Sequence, residues 1–296
     1  MSFDLDSRLG ALPYIPDPRD YQVGLLTTPI LREIPDEEKR LLPWVSMLIG
    51  RDQGNVGSCV GWDGAFAKNL VRNMARGSIG YEFSPGFLYE LSRFYACVPP
   101  DQEGSTNAGL MKALLKDGAA FESWVSTDTR KPFGVNIEPQ DRIHAADYRI
   151  KTYYRVPTNP AAMQAALLGL TYDPGYKMSD GSVGLCPLVT AYPVYDSFSE
   201  GYSDGYVPEP CVGDTLRGGH SSLIIGWFKK DGKTYWINYN SWGENVGGSM
   251  NGVRGLFFLP YNYPFYDCWV VSLAPREPCD WWCSLKRWWN IFWSRF

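Results

Sequence analysis

The sequence predicts an α+β protein of two lobes, one helical and one of antiparallel β-strands, with a cleft between them. Two observations predict it. From Cys59 to about residue 117 apolar positions recur at helical spacing, and after about residue 150 short apolar runs alternate with Gly- and Tyr-rich loops. A helical first half followed by a β second half favours packed lobes with a ligand cleft over an alternating α/β sheet.

Taken in order, residues 1–45 are rich in proline and charge (PYIPDPRDY, then EIPDEEKR) and read as an extended arm wrapping a domain, an element that usually docks without a function of its own. Residues 46–150 form the helical lobe. In CVGWDGAFAKNLVRNMAR the residues Phe66, Ala67, Leu70, Val71 and Met74 share one helix face, so Cys59 sits at or just before a helix N-terminus, with Gly54, Gly57 and Ser58 supplying a turn and a possible cap. Ser84-Pro85 announces a second helix, Ser as N-cap and Pro at the first helical position. A third spans about 107–117 and stops at Gly118. Residues 151–276 form the β lobe, with one short helix from Pro160 to about Gly169. Its clearest unit is SSLIIGWF and TYWINYNSW flanking KKDGK, where Asp-Gly between apolar runs signals a hairpin. Residues 277–296 are a Trp-rich tail.

Composition narrows the function. The chain has 296 residues, 45% hydrophobic and 20% charged, with a net charge of −4, which excludes wholesale disorder and offers no global positive field for nucleic acid. No apolar run reaches the length of a membrane span or a secretion signal. The seven cysteines are odd in number and lack the paired spacing of a zinc site or a dense disulfide scaffold. There are two histidines, His144 and His220, so any imidazole chemistry uses one of them. His144 lies in the amphipathic polar stretch DRIHAADYRI and is more simply a surface or capping residue.

A cysteine at a helix N-terminus has its thiolate favoured by unpaired N–H groups and the positive end of the helix dipole. His220 follows Gly218-Gly219 and opens a strand, where the glycines let backbone approach a cleft closely. The hairpin turn near Lys230–Gly232 brings Asn240 roughly alongside His220, within about three positions, so its amide can fix the tautomer and orientation of the ring. Each feature alone has a blander structural meaning, a buried apolar cysteine or a turn asparagine. The combination carries the case.

Gln53-Gly54-Asn55-Val56-Gly57-Ser58-Cys59, Gly218-Gly219-His220 and Asn240-Ser241-Trp242-Gly243 resemble, in order and spacing, the three signature blocks of the papain-like cysteine peptidases. FSPGFLYELSRF, VYDSF and GLFFLPYNY extend the resemblance over roughly residues 10–275, closest to the compact bacterial and viral branch with a PDxRD-like arm. The resemblance implies a papain-like two-lobe fold. It makes Cys59 the nucleophile, His220 the general base and later acid, and Asn240 the orienter of the imidazole. Gln53 becomes the side-chain donor of an oxyanion hole shared with the Cys59 N–H. Trp242 shields the His–Asn bond, Gly219 borders the substrate, and Gly104 and Gly109 present backbone to it. The substrate is a polypeptide, and no metal or organic cofactor is needed. Val56 and Val60 depart from the family's usual Cys and Trp, deleting a familiar bridge and altering packing without removing a proton-transfer group.

No inhibitory segment of about a hundred residues precedes Gln53, so restraint by a partner, by loops or by the redox state of Cys59 is expected if the enzyme is not made active. TYDPGYKMSDGSVGLC and ENVGGSMNGVRG read as long loops near the cleft. In the tail, Trp281, Leu285, Trp288, Trp289, Phe292 and Phe296 form one helical stripe with a local charge of +3 from Lys286 onward. Residues 279–296 are therefore expected to dock in a homo-oligomer or larger assembly first, on the chain's own core second, and on a membrane surface last. Two other functions stay open: a structural or docking subunit of a virion or surface complex, and a hydrolase of other amide or isopeptide bonds.

Overall fold

The computed structural model describes residues 4–20, 39–40, 42–46, 48, 52–129, 135–171, 173–175, 177 and 185–273. The predicted tail docking, and most of the predicted loop at 171–186, fall outside those residues. The α+β two-lobe class holds.

Helices α1 (Leu42–Val45), α2 (Cys59–Arg76), α3 (Pro85–Ala96), α4 (Asn107–Lys116) and α5 (Pro139–Ala145) come from the first half, and α6 (Pro160–Leu167) from the second. The predicted cap of α3 forms, and α4 has one the sequence reading did not name. Ser84 Oγ accepts from the Phe87 N–H at 3.1 Å and Thr106 Oγ1 from the Gly109 N–H at 3.0 Å. Gly118, at φ +88°, turns the chain after α4. Ser58 precedes α2 without a side-chain cap bond.

The spacing predicts one buried face for α2, whereas every residue from Cys59 to Met74 is buried. The helix is central, and its polar face is satisfied by neighbouring backbone and rings. Asn69 Oδ1 accepts from the Phe83 N–H and Asn73 Oδ1 from the Gly80 N–H, while Lys68 and Arg72 lie over the Phe83 ring at 5.6 and 5.9 Å. Apolar periodicity registers only the hydrocarbon part of such a surface.

Among the described residues eight strands build one antiparallel sheet. They are β1 (Lys39–Arg40), β2 (Ile150–Arg155), β3 (Leu188–Tyr195), β4 (Leu216–Lys230), β5 (Lys233–Tyr239), β6 (Gly248–Met250), β7 (Val253–Pro260) and β8 (Asp267–Leu273). Their order is β2-β8-β3-β4-β5-β7-β6, with β1 beside β4. The predicted hairpin is β4–β5, turning through Asp231 (φ +48°) and Gly232 (φ +75°), the left-handed pair that a two-residue turn needs. The stretch ENVGGSMNGVRG, expected as a loop, is largely the β6–β7 hairpin, turning at Asn251-Gly252. Its Asn-Gly signal flanks strands too short and too Gly-rich for alternation to show.

Helix α2 is held tightly against α3 where it lacks side chains. A Cβ on Gly61 would stand 2.4 Å from the Pro85 carbonyl oxygen and 2.6 Å from Tyr89 Cβ. Gly61→Leu is therefore expected to destabilise the chain by about 1–3 kcal/mol or more through overpacking. Urea unfolding checks this, and an unshifted midpoint would contradict the packing described.

Candidate active site

The first turn of α2 meets the opening of β4, and this contact assembles the site. Cys59 and His220 are both 0% exposed. The backbone N–H groups of Ser221 and Gly10 face the Cys59 sulfur. His220 Nε2 lies 2.7 Å from Asn240 Oδ1, and the same oxygen accepts from the Ser241 N–H at 2.8 Å. An oxygen already accepting from a backbone donor identifies itself as the amide oxygen, so Nε2 must donate. His220 is thus the Nε2–H tautomer, with a bare lone pair on Nδ1, a buried nitrogen that has no hydrogen-bond partner. Trp242 covers the bond, its ring 4.4 Å from the imidazole, and Tyr192 meets the ring edge-on at 5.8 Å.

Gln53 is buried against this frame from two sides. Its Oε1 accepts from Ser241 Oγ at 2.6 Å, its backbone N–H donates to the Ser241 carbonyl at 2.9 Å, and its Nε2 donates to the Val56 and Arg8 carbonyls at 2.7 and 2.9 Å. Ser241 therefore aims both Asn240 and Gln53. Its place between Asn240 and Trp242 is visible in the sequence; its bond to Gln53 is not.

The four expected substrate-binding residues separate. Gly219 borders the cleft, its carbonyl accepting from the Ala11 N–H at 3.0 Å. Gly104, at φ +96°, stands beside Gly10, and the neighbouring Ser105 supplies the edge itself: its N–H donates to Gly10 O at 2.8 Å and its carbonyl accepts from the Leu12 N–H at 2.7 Å. Trp242 packs on the imidazole. Gly109 is a residue of α4 at the crossing with α3, where a Cβ would stand 2.4 Å from the Ser92 carbonyl oxygen. Its glycine serves helix packing. His144 is at the end of α5, beside Gln140 and the Trp124 ring.

The arm, expected to wrap the domain without a role, lies in the cleft. Residues 8–12 cross from Gln53 over Cys59 to Ser105, and Gly10 is so close to the wall that a Cβ on it would stand 1.9 Å from the Gly57 carbonyl oxygen. Burial beneath this cover raises the Cys59 thiol to about 12, against the favourable Ser221 and Gly10 N–H groups, and lowers the His220 imidazole to about 4 despite its bond to Asn240. Both shifts favour the uncharged forms of thiol and imidazole in the covered site.

Beneath the pair runs a polar chain unforeseen from the sequence. Asp63, one helical turn after Cys59, lies 2.7 Å from Ser221 Oγ. Ser221 Oγ is 2.9 Å from Asn107 Oδ1, and Asn107 Nδ2 is 3.0 Å from Asp267 Oδ1. Ser221 has one hydroxyl hydrogen, so with both carboxyls ionised two acceptors would face each other. If the Asn107 oxygen faces Ser221, Asp63 must donate; with the amide reversed, Asp267 must. Either way the chain closes only with a carboxyl proton. Burial also raises both carboxyls, Asp63 well above its ordinary range and Asp267 to about 7.

Among the described residues there is no metal-binding cluster, and Cys59, Cys97, Cys186, Cys211 and Cys268 form no disulfide.

Because the folded chain retains a carboxyl proton that the unfolded chain loses above about pH 4, this pair weakens folding as pH rises from about 4 towards 7. Asp63→Asn, whose amide donates to Ser221 without a proton to lose, is expected to be more stable than the parent at pH 8 and to lose that advantage at pH 4. Urea unfolding at the two pH values checks this; an equal difference at both would show the pair to be ionised.

The model of the papain family cysteine proteases matches residues 97–253, a stretch that holds His220 and Asn240 and begins after Cys59. The chain is 32% identical over 108 residues to cathepsin B-like cysteine proteinase 3 of Ostertagia ostertagi, covering 36% of this chain and 52% of that one. It is 38% identical over 96 residues to the gut-specific cysteine proteinase of Caenorhabditis elegans, covering 32% and 24%. The matches thus span about half or less of the curated relatives' length. Among solved structures it is similar to xylellain, a cysteine protease from Xylella fastidiosa, at a TM-score of 0.71 and 27% identity over 93% of this chain and 99% of that one.

Proposed function

The chain belongs to the papain family of cysteine proteases, and we propose that it is an endopeptidase working through Cys59, His220, Asn240 and Gln53. The observation that carries this assignment of roles is the Nε2–H···Oδ1 bond from His220 to Asn240, which leaves Nδ1 as the basic nitrogen of the ring. A base held in one tautomer by a neutral amide accepts a thiol proton and returns it without losing its orientation.

In the cycle that follows from these positions, the Cys59 proton passes to His220 Nδ1 as sulfur bonds to the substrate carbonyl carbon. The oxyanion meets Gln53 Nε2 and the Cys59 N–H, donors fixed before the charge develops. The C–N bond breaks as Nδ1 protonates the leaving amine. Water then gives a proton to Nδ1 while its oxygen attacks the thioester, and the proton returns to sulfur as the acid leaves. Asn240 holds the ring throughout, and Trp242 keeps water from the His–Asn bond.

The substrate is a polypeptide, read first through Ser105 and Gly219. Residues 279–296 are kept as a docking element for a protein partner or a second copy. Among the described residues no helix is long and apolar enough to cross a membrane.

Digestion of a peptide library in the Gly10→Ala background, in which the arm cannot seat as described, tests the chemistry. Added Cys59→Ala or His220→Ala is expected to cost about 10³-fold or more in kcat, and Gln53→Ala about 10²- to 10³-fold. Asn240→Ala should cost less than His220→Ala. Turnover that survives Cys59→Ala would remove the thiol mechanism.

Deleting residues 279–296 is expected to lower the mass of the assembly in solution, measured by light scattering. An unchanged mass eliminates the docking role.

A further inference from the structure

We propose that Asp63 keeps its proton in the working enzyme and is a positioning residue of the nucleophile, a neutral donor that clamps Ser221 against Cys59 and leaves the negative charge of the buried pair on Asp267. The proposal rests on the assignment of Cys59 above.

Hydrogen-bond counting carries the inference. Three acceptors surround the Ser221 hydroxyl: Asp63 Oδ2 at 2.7 Å, Asn107 Oδ1 at 2.9 Å and the Thr190 carbonyl at 3.1 Å. With the Asn107 amide nitrogen turned to Asp267 Oδ1 at 3.0 Å, its oxygen and the Thr190 carbonyl both call on the one hydroxyl hydrogen. The Asp63 contact, the shortest of the three, is then made by Asp63 donating. Reversing the amide would move the proton to Asp267.

The surroundings decide between the two ends. Asp267 lies where a charge is compensated, by the Asn107 amide, the Ala191 N–H and the Arg155 guanidinium. Around Asp63 the ionisable groups are Cys59 on its own helix, Tyr192 on β3, and Asp267 and Cys268 on β8, none of which carries positive charge in any state. The Ser221 hydroxyl and the Thr190 N–H alone favour a charge there. The proton therefore sits on Asp63 and the charge at the far end of the chain.

Placement gives that proton a use. Asp63 is one helical turn after Cys59, and the Ser221 N–H faces the Cys59 sulfur. Asp63, Asn107 and Thr190 grip the Ser221 hydroxyl from α2, α4 and β3, so the donor at the sulfur is fixed from both lobes. A carboxylate in the place of the acid would set an anion one turn beneath the forming thiolate and oppose it. The acid gives the clamp without the charge.

NMR of the parent chain, isotope-labelled at the aspartate Cγ carbons, locates the proton, each signal being assigned by its loss in Asp63→Asn or Asp267→Asn. At pH 8 Asp63 is expected to keep the shift of a carboxylic acid and Asp267 to show that of a carboxylate; a carboxylate shift at Asp63 overturns the proposal. The clamp is read from the rate at which iodoacetamide alkylates Cys59 at pH 8 in the Gly10→Ala chain. Asp63→Ala is expected to slow alkylation about three- to tenfold, while Asp63→Asn, whose amide still donates to Ser221, stays within about twofold of the chain that retains Asp63. Asp63→Asn as slow as Asp63→Ala would show that a carboxylate charge is required, and an unslowed Asp63→Ala that nothing is positioned; either overturns the proposal. The peptidase assignment fails separately: chains that alkylate in this order and cleave no peptide would leave the Asp63 proton and its clamp standing and remove the catalysis.

Discussion

The seam between the first turn of α2 and the opening of β4 is the constraint on which the site depends. It sets Cys59 beside the backbone of Ser221, next to His220, and it joins the lobes below the surface through Asp63 and Ser221. A thiol at a helix N-terminus is only mildly unusual, and a histidine opening a strand is ordinary. Their chemistry comes from being fixed relative to each other, and that fixing is done by neutral groups. The amide of Asn240 orients the ring without adding charge, and the retained carboxyl proton spares the Cys59 thiol a fully ionised pair beneath it. Neutral partners leave the proton equilibrium between sulfur and nitrogen to the cleft above.

That equilibrium is strongly displaced in the covered site. Burial pushes the thiol up to about 12 and the imidazole down to about 4, so desolvation outweighs the helix terminus that favours the thiolate. Within that balance the Val60 N–H of the helix terminus favours the thiolate, the sense expected from the sequence. That preference applies when solvent or substrate replaces the arm, since separated charges in a dry pocket are costly without further partners.

Much of this was legible before the fold. Cys59 at the start of α2, the cap at Ser84, the stop of α4 at Gly118 and the Asp-Gly turn between β4 and β5 follow from local chemistry within a few residues. The pairing of His220 with Asn240 followed from hairpin geometry. The rest depends on contacts that no local rule encodes. Gly109 looks like a cleft glycine in sequence and is a helix-crossing glycine in space, because the helix period turns it towards α3. Asp63 reads as the polar face of an amphipathic helix, and its partner Ser221 lies 158 residues away. The arm's composition marked it as extended; only the bonds to Gln53, Gly219 and Ser105 say where it runs.

The meeting of Gly10 with Gly57 has a wider consequence. Between Arg8 and Leu12 the hydrogen bonds to Gln53, Gly219 and Ser105 use main-chain atoms of the arm, and Gly10 has no side chain to contribute. Backbone carries no sequence information, so this stretch is recognised by shape and by the spacing of its amides. Arg8, paired with Asp52, and the buried Ala11 add side-chain constraints of their own, while Gly10, which must stay small, is invisible to any search for charged or aromatic determinants.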